Sequence, residues 1–149
     1  MLPSVVLART WYVEKDGSGD YEVIQDAVDV AASGDTIRIG PGRYDDKRLV
    51  TCPGWSDSVR ILVTQSELTV IGSGSETIVG PNKPWASDRS LDKGVVASDW
   101  WGNSTTRLHD LRMENIGIAI YYSYEGSGNN LIEIDNCVFD GNRESAYLD

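Results

Sequence analysis

Five tryptophans and seven tyrosines stand against a single phenylalanine, a bias toward rings with a polar edge that suits wet, partly exposed surfaces. Trp55, Trp85, Trp100 and Trp101 fall in stretches without regular apolar spacing, where binding residues concentrate on a rigid scaffold. Tyr121, Tyr122 and Tyr124 sit close to an expected turn and extend the same surface. Rings so placed stack on sugar faces or pack against another subunit. The competing reading is that the indoles cover an apolar flank beneath long loops.

The ionisable residues carry a weaker pattern. Residues 107–122 and 133–148 align with an offset of 26, matching Leu108 to Ile134, Leu111 to Cys137, Met113 to Phe139 and Tyr121 to Tyr147. The match breaks where Ile116 and Ile118 meet Asn142 and Glu144. In this register Glu114 and Asp140 lie on neighbouring layers, with Asp135 nearby, and two such acids are a candidate Ca²⁺ pair. The plainer reading is two acids on an exposed turn. His109, the only histidine, matches Asp135 at an outward position. The run DGSGD at 16–20 lacks the later ligands and closing Glu of an EF-hand loop and reads as a turn. Two cysteines, Cys52 and Cys137, make neither a framework nor a metal site; they allow one disulfide or a buried free thiol at Cys137.

Elements must hold these residues. A chain of 149 residues with 40% hydrophobic and 24% charged content is a single domain, long enough to bury roughly two-thirds of its unfolded surface. The net charge of −10 excludes nucleic acid and anionic membrane as partners, and no run is long enough for membrane insertion. Apolar residues Val23, Ile24, Ala27, Val28, Ala31 and Ala32 recur at helical spacing and predict a helix over 21–33, with Asp20 as N-cap and Gly34 beyond its end. Strand patterns follow at 36–39, 59–63, 68–71, 77–79 and 94–98, while 45–58 reads as an irregular loop and 80–103 is the least regular part. Residues 1–10 lack the basic region and apolar length of a signal peptide, and Val5, Val6 and Leu7 read as a strand available for assembly.

A repeat in the range of ~20–50 residues with strand patterning indicates a solenoid, in which each coil buries its face by stacking on its neighbours. The run DGSGDYEVIQDAVDVAASGDTIRIGPGRY at 16–44, followed by LTVIGSG at 68–74, resembles the N-terminal signature of pectinesterases and other pectin-lyase-like proteins. The resemblance implies an all-β solenoid, a right-handed parallel β-helix of about four or five coils with an N-terminal capping α-helix. Residues 1–44 would form the first strands and the cap, and 45–149 the coils with their Trp-containing insertions. Phe139-Asp140-Gly141 resembles a coil segment that precedes the pectinesterase catalytic pair. In register, Arg143 then stands at the family's Gln and Glu144 at its catalytic acid. The resemblance implies further catalytic residues on later coils, which these residues do not match. An esterase needs one carboxylate to attack and another to move protons. The expectation is therefore a non-catalytic module, extracellular or at the cell surface and directed at polysaccharide. The alternative is a structural subunit that self-assembles head to tail, an oligomer of copies of itself, through an open C-terminal coil and the strand of Val5, Val6 and Leu7.

Overall fold

The computed structural model describes residues 7–52, 55–86, 92–98, 104–123 and 131–148. They form three sheets, built mostly of parallel strands, and one α-helix. The first sheet contains β1 (Thr10–Val13), β2 (Thr36–Ile39), β6 (Glu67–Ile71), β9 (Thr105–His109) and β12 (Leu131–Asp135), in that spatial order. The second runs from β3 (Gly42–Tyr44) through β7 (Thr77–Val79) and β10 (Arg112–Glu114) to β13 (Val138–Asp140). The third places β4 (Arg48–Cys52), β5 (Trp55–Val63), β8 (Lys93–Ser98), β11 (Ile118–Ser123) and β14 (Glu144–Leu148) side by side. From β2 onward the chain visits the three sheets in turn. All pairings are parallel except the β4–β5 hairpin.

Strand alternation sends one residue in two toward a shared interior. The first sheet contributes the column Ile37, Val70 and Leu108, the second Tyr44, Val79 and Met113, and the third Ile61, Val95 and Ile120, all buried. The offset of 26 seen in the sequence is the pairing register of the last two layers throughout: Arg107 faces Glu133, Met113 faces Phe139 and Tyr121 faces Tyr147. The turns keep that offset too. Asp110 and Asn136 both have left-handed backbones (φ 55° and 50°), as do Asn115 and Gly141 (φ 59° and 61°), and Asp and Asn tolerate that region better than other side chains. Where the sequence match fails, Asn142 replaces apolar contact by amide bonds, accepting from the Ile116 N–H at 2.8 Å and donating to the Met113 carbonyl at 2.9 Å.

Three expectations are corrected. The helix α1 spans Ile24–Val30 rather than 21–33, and its N-cap is Val23 without a side-chain capping bond. Asp20 instead accepts from the Tyr12 N–H at 3.0 Å, and Tyr21 bridges to Val13, so the residues expected in the first turn are held against β1. Residues 45–58 do not form an irregular loop throughout, because β4 folds back on β5 as an antiparallel hairpin with Arg48 facing Val59. Gly34 does not end the helix either: α1 stops at Val30 with Ala31 as its C-cap, and Gly34 (φ 93°) lies in the turn that leads on to β2, its N–H donating to the Glu67 carbonyl at 2.8 Å. The apolar face of α1, with Ile24, Ala27 and Val28, packs on β5, β1 and β2 and covers the core at that end.

Candidate functional site

Glu114 and Asp140 are cross-strand partners on β10 and β13, as their register predicts. Each carboxylate is taken by a guanidinium. Arg43 donates to Glu114 at 2.6 Å, Arg112 bonds Asp140, and Arg112 also stands 3.6 Å from Glu114. Alternating charges across the second sheet form an ion-pair ladder, and a Ca²⁺ ion would have to displace arginines to reach these oxygens. Among the described residues no group of three or more His, Cys, Asp or Glu side chains is placed to hold a metal ion. Glu144 begins β14 and pairs with Arg143 at 3.4 Å. Asp135 stands 3.7 Å from His109 and is 79% exposed.

The aromatic candidates do not meet in one place among the described residues. Trp100, Trp101, Tyr124, Val5 and Val6 lie outside them, as does the side chain of Trp55. Leu7 is 81% exposed and is not in a strand. Trp85 is half-buried, its indole N–H buried without a hydrogen-bond partner among the described residues, and Arg143 sits 5.9 Å from its ring. Tyr121 stacks on Tyr147 with parallel planes and centroids 5.4 Å apart, and the Lys93 ammonium lies 4.8 Å from the Tyr121 centroid. These contacts already engage the Tyr121 ring. Tyr122, next along β11, is half-buried.

A more open arrangement lies on the first sheet. Tyr12, Arg38, Ile71, His109 and Asp135 pair in register across all five strands and form one continuous row. Tyr12 is half exposed and Arg38 exposed, while Val13, Ile39, Val70 and Leu108 beside them are buried. At the end of this row, Tyr12, Glu14, Arg38, Gly40, Gly72 and Ser73 line a cavity of about 200 Å³. The Glu14 carboxylate occupies the place of a side chain at Gly40, where an added Cβ would stand 1.7 Å from Glu14 Oε2. The buried Tyr44 hydroxyl lies close by, donating to the Gly40 and Val13 carbonyls; burial raises its pKa, and the Glu14 charge adds to the rise. Sequence reasoning passed over Tyr12, Glu14 and Arg38. The available signal was alternation: Tyr12 and Arg38 are the outward members of the two strands that flank the helix.

The opposite end is apolar. β12, β13 and β14 are the outermost strands of their sheets, and Leu131, Ile134, Val138 and Tyr147 are 41–49% exposed. Ile132, Cys137 and Phe139 are only partly covered. Cys137 carries a free thiol whose pKa is raised by burial, with the Asp110 and Asp135 charges adding to the shift. No helix among the described residues is long and apolar enough to cross a membrane. No protein-family model matches the chain, and no curated protein matches it.

Proposed function

We propose that the chain is a right-handed parallel β-helix, an extracellular or cell-surface module that binds polysaccharide along the outer face of the first sheet without catalysing its cleavage. The cyclic visiting of three sheets supports the coil reading, and the strong preference for right-handed crossovers between parallel strands gives the hand. The resemblance of residues 16–44 to the pectin-lyase-like signature points the same way. One observation carries the functional reading: the row of Tyr12, Arg38, Ile71, His109 and Asp135 runs without interruption across five paired strands. A linear polymer meets such a row with repeated polar and stacking contacts, and a packed core behind it keeps the ordering cost of binding low. Catalysis is not part of the proposal, because Glu114, Asp140 and Glu144 each pair with arginine. The test is retention of the folded chain on immobilised polysaccharides of several compositions. Retention that Arg38→Ala weakens is the expected result, and free passage over every matrix contradicts the reading.

A second reading, a structural subunit that adds copies of itself, is favoured by the exposed apolar edge at β12, β13 and β14. Strand edges with uncovered apolar side chains accept further strands. Sedimentation over a wide concentration range separates the readings. Assembly abolished by Ile134→Lys supports the second, and a monomer at all concentrations removes it.

A further inference from the structure

We infer that the cavity lined by Tyr12, Glu14 and Arg38 is a subsite for one neutral pyranose residue of the glycan, an inference that rests on the polysaccharide reading above. The chemistry of the cavity narrows the ligand by what each group lacks. Glu14 is half-buried, and no described residue donates a hydrogen bond to its carboxylate. A carboxylate only accepts, so a ligand that replaces solvent at Glu14 brings donors. Arg38 forms no ion pair with a described residue, and a guanidinium only donates, so the ligand must bring acceptors as well. Tyr12 offers a half-exposed ring beside both.

A pyranose supplies hydroxyls that donate to Glu14 and accept from Arg38, and a C–H face that packs on Tyr12. Simpler ligands fail on one count. An amine gives donors to Glu14 but opposes the Arg38 charge and brings no acceptor. A uronate gives an acceptor to Arg38 but sets its carboxylate against Glu14, in a chain whose net charge is −10. The slot itself is built by the sequence: Gly40 lacks the Cβ that would expel the Glu14 carboxylate, and Gly19 is similarly crowded, with an added Cβ 3.1 Å from Glu14 Cγ.

Calorimetric titration of the full chain with cellohexaose, mannohexaose, xylohexaose and hexagalacturonate tests this. At least one neutral hexasaccharide should bind at least tenfold more tightly than hexagalacturonate. Glu14→Gln, which keeps the side-chain shape, should lower that affinity about fivefold, and Tyr12→Ala about tenfold. Urea midpoints check that both variants fold, and the near-isosteric Glu14→Gln keeps the test open if Tyr12→Ala does not. Preference for hexagalacturonate, or neutral binding undiminished by Glu14→Gln, overturns the subsite and leaves the polysaccharide reading standing. No binding of any of the four overturns both.

Discussion

Asp35 is 3% exposed, and burial alone would push its pKa up. Three donors more than offset that: the Arg9 N–H at 2.8 Å, the Trp11 indole N–H at 2.9 Å and the Ala32 N–H at 2.9 Å hold it below the ordinary 3.8. One carboxylate thereby ties the start of β1 to the segment that follows α1. A depressed folded pKa means its stabilisation is fully present above the unfolded value and lost as pH falls from there through the folded value. Asp35→Asn should therefore cost about 2 kcal/mol at pH 7, measured by urea unfolding, and the gap to the native protein should close as pH drops below 3.8. A gap that persists in acid contradicts this account. The Cys137 thiol is shifted the other way, since burial favours the neutral form. In a Cys52→Ser background it should react with iodoacetamide at pH 7.5 more slowly than a free cysteine; equal rates would show an accessible thiolate. Neither partner set was legible in full, because Arg9 and Trp11 reach Asp35, and Leu108 reaches Cys137, across 24–29 positions, whereas only Ala32 and Asp135 are near neighbours in sequence.

Among the elements, α1 shows how local pattern and tertiary context divide the work. Its apolar spacing was readable, but its length was not. Asp20 and Tyr21 bond back to the Tyr12 carbonyl at 2.8 and 3.1 Å, which holds the expected first turn against β1. Gln25, 5% exposed, then fixes the helix to β5 by accepting from the Leu62 N–H at 2.6 Å and donating to its carbonyl at 3.2 Å. Gln25→Ala should cost about 2 kcal/mol, read as a lower urea midpoint with an unchanged slope; an unchanged midpoint would mean the amide contributes nothing net. The repeat was legible only where layers follow without insertion. Arg107 and Glu133 are 26 positions apart, whereas Thr36 and its partner Thr69 are 33 apart, and Thr69 and Arg107 are 38 apart. The β4–β5 hairpin and the stretch between β7 and β8 lengthen those earlier layers, so no fixed period reveals them.

At the scale of the whole molecule, three inward columns converge on one core while the outward faces carry ionic ladders such as Glu67–Arg107–Glu133, with bonds of 2.8 and 2.6 Å. Such exposed pairs add little stability, which places the burden on the core. Met113 is wholly buried between Val79 and Phe139. Met113→Ala should cost about 3 kcal/mol by chemical denaturation while leaving glycan affinity unchanged; a loss of affinity in the folded variant would tie the binding face to the interior. The all-β class was legible because apolar alternation writes strands locally, and the register was legible only for the last two layers, where the offset of 26 repeats. The row proposed to bind glycan was not, since Tyr12, Arg38, Ile71 and His109 come from four strands spread over nearly a hundred residues. The measurement closest to the central claim is an amide chemical-shift titration of the full chain with neutral hexasaccharides. The account predicts perturbations concentrated at Tyr12, Glu14, Arg38, Ile71 and His109. Perturbations confined to the β12–β14 edge, or none at all, would contradict it.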